Sequence, residues 1–300
     1  MASSELLIPG RDSIGVGVDG SPASRAALRW AGAHRRVDQQ LHAVIAREPG
    51  DPFEAFGLTD PERDEAARVT VCKALREALG EGWEHYAHAE VAPGSPKEVL
   101  TKLSTQVEQL VIGTSAHSSV VADLLASVSH HLVVHASCPV TVVQSEPTRA
   151  QHPAPGGLVI EPGSIIVGVH DSPSSAAALA WATKHRRHGQ QVYAIHVWDY
   201  PLGVAAYPGY IGIDPDQATY AGALLESVLS KELGHDWSST VVGAAVRGAP
   251  KVVLPSLAKD ADQLVIGGGR HIPVVSAALG ETSEYVVTHT DCAVTVVGCR

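Results

Sequence analysis

Ser13-Ile14-Gly15-Val16-Gly17-Val18-Asp19-Gly20-Ser21-Pro22 returns later in the chain as Ser164-Ile165-Ile166-Val167-Gly168-Val169-His170-Asp171-Ser172-Pro173. Gln109-Leu110-Val111-Ile112-Gly113 returns as Gln263-Leu264-Val265-Ile266-Gly267, and Cys138-Pro139-Val140-Thr141-Val142-Val143 as Cys292-Ala293-Val294-Thr295-Val296-Val297. The blocks keep their order at nearly constant offset, so a whole domain is duplicated. A repeat of about half the chain is far longer than a solenoid period, so each copy owns a core. The duplication is also an internal control. A residue that the backbone requires belongs in both copies; a residue that serves one site can stand in one alone.

The 300 residues suit two domains. Residues 11–145 read as the first domain, 146–163 as a Pro- and Gly-bearing linker, and 164–300 as the second. Apolar residues make up 45% and aromatics 5%, so Val, Ala and Leu fill the cores, as in parallel sheets covered by helices. A formal charge of −10 argues against nucleic acid or an anionic membrane as the main partner. The N-terminal stretch has no basic region followed by an apolar run, and no apolar run approaches the roughly 20 residues of a membrane span. Four cysteines (Cys72, Cys138, Cys292, Cys299) make no disulfide framework. A soluble, cytoplasmic protein is the expectation.

Short Val/Ile runs alternate with helical patterns, which predicts βαβ units and a mostly parallel sheet. Strands are expected at Ile14 to Val18, Leu41 to Ala46 and His85 to Val91, then up to Gly113, then at Val140 to Val143. The second copy has its matches at Val192 to Val197, Ser239 to Val246, up to Gly267, and Val294 to Val297. Asp60-Pro61 and Asp214-Pro215 read as a cap followed by the first helical residue, with Gly80 and Gly234 as stops. Pro255 is expected to kink or shorten its helix. His34-Arg35-Arg36 and His185-Arg186-Arg187 complement helix C-termini. The count is five strands and four helices per copy.

Gly15, Gly17 and Gly20 spell G-x-G-x-x-G, but two of them lie within a strand, and the second copy has Ile166 and Asp171 at the first and third positions. The dinucleotide fingerprint needs these glycines in the turn after the strand. More informative is Gly113 at a strand's C-terminal end, before a loop and helix with Ala126-Ser127. Backbone amides there can approach a phosphate, and ligands of open α/β sheets bind outside strand C-termini. Asp19 ends the first strand at the same edge and can accept from a ribose or adenine. It can equally cap the next helix, with Gly113 a tight turn; spacing alone does not choose.

Val16-Gly17-Val18-Asp19-Gly20-Ser21, Val91-Ala92-Pro93-Gly94-Ser95-Pro96, Val111-Ile112-Gly113 and Cys138-Pro139-Val140-Thr141-Val142-Val143 resemble the universal stress protein family, in both copies. The resemblance implies two tandem α/β domains, each a five-stranded parallel sheet of order 3-2-1-4-5 with helices on both faces. It also implies pairing of domains, or of chains as a homodimer, through the last strands. Its nucleotide-binding branch holds ATP, with or without Mg2+, on an Asp and a Gly-x2-Gly-x9-Gly-Ser/Thr loop. Carried over, this points to Asp19, Gly20, Ala46, Gly94, Gly113, Ala116, Ala126 and Ser127 in the first copy. A weaker second site would comprise Gly168, Val197, Gly248, Gly267, Arg270 and Gly280. The first loop has Ala116 and Ala126 where glycine is expected; the second has Arg270 and Glu281, with His170 replacing the Asp. Two lost glycines would weaken binding roughly tenfold to a hundredfold.

The 16 histidines show no zinc-like spacing with cysteine and read as solvated or capping. Cys138 and Cys292 read as small buried residues, Cys299 as the exposed thiol, and the Tyr200, Tyr207 and Tyr210 loop as packing or as a pocket cover. The leading expectation is a stress-response regulator that binds an adenine nucleotide, ATP foremost, with little turnover and better in the first copy. A nucleotide-free dimerisation and interaction module is the alternative. An enzyme acting on an adenylate is a third reading, carried by fold analogy alone.

Overall fold

The computed structural model describes residues 10–48, 59–114, 122–145, 158–199, 215–268 and 281–298, the side chains of 122–127, 215, 216 and 281 excepted. The chain divides into two compact units, Met1–Glu146 and Pro147–Arg300.

Unit one runs β1 (Ile14–Gly17), α1 (Pro22–His34), β2 (Leu41–Arg47), α2 (Asp60–Leu79), β3 (Ala87–Pro93), α3 (Pro96–Leu103), β4 (Gln109–Thr114), α4 (Ala122–His135) and β5 (Val140–Gln144). Unit two repeats it as β6 (Ile165–Gly168), α5 (Pro173–His185), β7 (Val192–Trp198), α6 (Pro215–Leu233), β8 (Val242–Arg247), α7 (Pro250–Leu257), β9 (Gln263–Gly268), α8 (Glu281–His289) and β10 (Ala293–Gly298). Within unit one the strands pair, all parallel, in the order β3-β2-β1-β4-β5. Within unit two the order is β8-β7-β6-β9-β10, again parallel. Each unit is therefore an α/β sheet of order 3-2-1-4-5.

Both faces of each sheet are covered, which is why its strands are near-continuous apolar runs. In unit one α1 and α2 cover one face, while α3 and α4 cover the other. Side chains alternate between these layers. Ile165, Val167, Val169, Val192, Ala194 and Val265 meet Ala178, Leu179, Leu225 and Leu229 of α5 and α6 in one buried cluster. On the opposite face, Gly15 and Gly17 leave room for Leu103 and Leu100 of α3; a Cβ at Gly15 would lie 2.8 Å from Leu103 Cδ2. The G-x-G of β1 is a helix-packing feature.

Polar side chains present in both units build joints between elements. Arg36 pairs with Glu108 at 2.9 Å and Gln39 Nε2 donates to the same carboxylate oxygen at 3.0 Å; Arg187, Gln190 and Asp262 repeat this. Gln109 Nε2 donates to Thr141 Oγ1 at 2.6 Å, and Gln263 to Thr295 likewise. His34 stacks on Trp30 with its Nδ1 on the Trp30 carbonyl, as does His185 on Trp181. The basic residues at these helix ends are thus structural.

Three local expectations are corrected. The third strands begin later than His85 and Ser239, because Trp83–His85 and Trp237–Ser239 first wind into 3-10 turns. The cap of α2 is Thr59, one residue before Asp60: the Glu62 carboxylate accepts the Thr59 N–H at 2.8 Å and its hydroxyl at 2.7 Å. Those two bonds, the backbone one foremost, hold the Glu62 carboxyl below its usual range. Pro255 does not shorten α7, which has eight residues like α3. It lies near the helix's C-terminal end, and Ala258–Asp260 continues as a 3-10 turn.

His42 is 4% exposed on the α3 side of β2, beside Gly15 of β1 and His88 of β3. The His88 ring lies 5.2 Å away; Glu90, pushed up by burial, and Lys102 share this neighbourhood. Burial foremost, then His88, lowers the His42 pKa from 6.5 to about 4. As pH falls, the unfolded chain takes a proton near 6.5 and the fold accepts it only near 4. Unit one should therefore lose up to about 3 kcal/mol across that window. Unit two carries Tyr193 at this position. Hydrogen exchange of unit-one amides between pH 7 and 4.5 should show that loss, and His42→Tyr should reduce it by most of its size.

Candidate functional site at the strand ends of unit one

The sheet order reverses between β1 and β4, so the chain leaves these neighbouring strands towards opposite faces and a crevice opens at their C-terminal ends. A cavity of about 350 Å3 lies there, within the size range of small-molecule sites. Asp19, Ala46 and Gly113, each expected from the sequence, all line it, and so do Val128 and Ser129 of α4. Gly20 and Gly94 do not line it. Ala126 and Ser127 lie in α4 with undescribed side chains, and Ala116 lies outside the described residues.

Asp19 owes its position to the turn between β1 and α1. Its Oδ1 accepts the Ser21 N–H at 2.9 Å, while Ser21, the cap of α1, accepts the Ser24 N–H at 3.1 Å. Gly20 has φ +80°, a left-handed conformation that favours glycine, and a Cβ there would lie 2.9 Å from Thr70 Cγ2. The cap of α1 is thus Ser21 and not Asp19, which braces the turn before the cap and also lines the cavity. Gly94 is a turn residue at φ +126° whose N–H is already bonded to the Arg47 carbonyl at 3.0 Å.

Gly113 has an explanation within the fold. A Cβ on it would lie 2.0 Å from the Ala23 carbonyl oxygen, backbone against backbone, and one on Gly267 would lie 2.6 Å from the Ser174 carbonyl carbon. The end of the fourth strand presses against the first turn of the helix that follows the first strand, α1 or α5, so both units need glycine here whether or not a ligand binds.

Sequence reading missed Arg47 and Arg63, which line the cavity from β2 and α2. Arg47 pairs with Asp60 at 3.3 Å and with Asp64 at 2.5 Å, and Arg63 pairs with Asp60. Neither arginine belongs to a motif; the available signal was their replacement in the second copy by Trp198 and Gln217.

Unit two has other residues at its strand ends. His170 replaces the Asp, and the Ser172 N–H bonds instead to the His170 carbonyl at 2.8 Å. His196 Nδ1 meets the Val169 carbonyl at 2.9 Å, and its ring lies 6.1 Å from that of His170. Unit two has a cavity of about 570 Å3, but it is lined by α5 and α6 residues such as Ser172, Ala176, Val228 and Lys231. None of Gly168, Val197, Gly248 and Gly267 lines it; Arg270 and Gly280 lie outside the described residues.

Among the described residues, no group of three or more His, Cys, Asp or Glu is placed to hold a metal ion, so the described part of the site supplies no Mg2+ cage of its own. Nor is any described helix long and apolar enough to cross a membrane. Cys138 is buried as expected, whereas Cys292 is half-buried, its thiol pushed up to about 12 by desolvation; Cys299 and the Tyr200, Tyr207 and Tyr210 loop lie outside the described residues.

Residues 10–144 and 163–298 each match the universal stress protein family, and the chain belongs to that family. Universal stress protein MT2052 of Mycobacterium tuberculosis is 29% identical, over 90% of this chain and 92% of its own length. Universal stress protein Rv2623 of the same species is 26% identical, over 91% and 93%. The crystal structure of a universal stress protein from Archaeoglobus fulgidus shares the fold, with a TM-score of 0.61 at 18% identity over 97% of both chains.

The contact between β4 and α1 makes a prediction that is independent of any ligand. Gly113→Ala should destabilise unit one by roughly 3 kcal/mol or more, because backbone cannot yield as a side chain does. Gly267→Ala should do the same in unit two. Thermal and urea unfolding of the ligand-free protein measure both; a neutral Gly113→Ala would return this glycine to a purely ligand-binding role.

Proposed function

We propose that this chain is a cytoplasmic regulatory binding protein that takes one adenine nucleotide, ATP foremost, at the strand ends of unit one, with little turnover. The single observation that carries this reading is the convergence of Asp19, Ala46 and Gly113 on one cavity at the sheet's reversal point. A carboxylate at the end of β1 suits a ribose hydroxyl, which donates to it. The backbone beside Ala46 offers the N–H and C=O that read a base edge. The N-terminal side of α4, across from β4, is favourable for phosphate. Mg2+ would accompany the phosphates. Pairing of chains or of domains through the last strands belongs to the same reading and rests on family membership.

No described residue that lines the cavity supplies a free carboxylate for fast hydrolysis. Asp19 accepts the Ser21 N–H, and Asp60 and Asp64, which hold the lining arginines, are ion-paired. The alternative, a nucleotide-free interaction module, is favoured by the alanines at 116 and 126 and by the residues that replace the nucleotide ligands in unit two.

Calorimetric titration of the full chain with ATP should give one site per chain. Asp19→Ala should weaken it about tenfold, the worth of one hydrogen bond to a charged group. Equal affinity in the variant would remove Asp19 from the site. Absence of heat, together with no nucleotide released on denaturing the purified protein, would favour the interaction module.

A further inference from the structure

We infer that Arg47 and Arg63 form a specificity subsite at the β2–α2 end of the unit-one cavity, for a ligand group that presents hydrogen-bond acceptors and no donors. This rests on the reading of the cavity as a nucleotide site; of the two outcomes below, the phosphate one keeps adenine as the base and the base-edge one replaces it with a 6-oxopurine. Both arginines line the cavity, with side chains only 15% and 10% exposed. Their carboxylate partners stand on the solvent side: Asp60 is 69% exposed and Asp64 is 50% exposed. The acids thus hold two guanidiniums from behind and leave them against the cavity. A guanidinium carries N–H donors in a planar fork and no acceptor, so whatever lies against it must accept. Forks already held by carboxylates lose little freedom when a ligand arrives.

A tether of α2 to β2 would explain the same ion pairs, and the duplicated unit decides against that being sufficient. Residues 41–47 align on 192–198, and α2 aligns on α6 without a gap, from Asp60-Pro61 on Asp214-Pro215 to Gly80 on Gly234. Arg47 then falls on Trp198 and Arg63 on Gln217, yet β7 and α6 form as their counterparts do. Of the two acids of the supposed tether, Asp60 persists as Asp214 while Asp64 is replaced by Ala218, and α6 forms with neither arginine present. The fold does not need the arginines, and where they occur they line the unit-one cavity.

Two nucleotide features offer this chemistry. One is the O6/N7 edge of a 6-oxopurine, which an arginine fork reads in a bidentate manner; adenine would turn its amino group, a donor, towards donors. The other is a second phosphate on the ribose of an adenine nucleotide. Matched pairs distinguish them. The full chain is titrated with ITP against ATP, which differ at the purine 6-position, and with adenosine 3′,5′-bisphosphate against AMP.

The first member of at least one pair should bind about tenfold more tightly than its match. A preference for ITP assigns the subsite to the base edge; a preference for the bisphosphate assigns it to phosphate. Arg63→Gln and Arg47→Trp, each introducing the residue that unit two carries, should each abolish the preference. Arg47→Lys, which keeps the charge and loses the fork, should reduce it and serves as the test should the tryptophan disturb folding. Equal binding within both pairs, or a preference that survives all three substitutions, overturns the inference. ATP binding that depends on Asp19 without either preference would overturn it alone. Failure of all four nucleotides to bind would overturn the nucleotide reading with it.

Discussion

The end of β4 is pressed against the first turn of α1, backbone to backbone, and the architecture of each unit follows from that contact. At Gly113 and Gly267 the space for a Cβ is taken by the carbonyl groups of Ala23 and Ser174. The contact brings the helix that leaves the first strand across the end of the fourth strand on one face. The helix that leaves the fourth strand departs to the other. A crevice between them is then unavoidable, and it sits where the strand order reverses. The fold supplies the hollow; the residues around it decide what the hollow is for.

The two units answer that question differently with the same frame. In unit one the Ser21 N–H bonds to the Asp19 side chain, which puts a carboxylate at the crevice. In unit two the equivalent N–H bonds to the His170 main chain, and His196 bonds across to the end of β6. The joints repeat faithfully: Arg36 with Glu108 and Gln39 on one side, Arg187 with Asp262 and Gln190 on the other. Residues that repeat are those that hold elements together. Asp19, Arg47 and Arg63 do not repeat, and all three border the unit-one cavity. Duplication lets the two copies differ where the frame does not dictate the residue.

The repeat made the element order, the parallel topology and the position of the crevice legible in the sequence, because each depends on periodic apolar runs and on glycines that both copies share. Local windings were less legible. His85, ahead of an alternating run, looks like the start of a strand, yet it closes a 3-10 turn, Trp83–His85, before β3 begins. Asp-Pro looks like the cap of α2, yet Thr59 and Glu62 form it. The site was half legible. Asp19 and Gly113 stand in a pattern, whereas Arg47 and Arg63 look like ordinary surface charges until packing turns them towards the cavity. Gly113 carried two possible meanings, and only the distance to Ala23 showed that the fold alone demands it.

The central claim is that one cavity per chain, in unit one, takes the nucleotide. Photolabelling of the full chain with 8-azido-ATP, followed by peptide mapping, tests it most directly. The account predicts a label confined to unit-one peptides around β2 and α2 and abolished by excess unmodified ATP. Competable labelling of unit two, alone or equally with unit one, would contradict it.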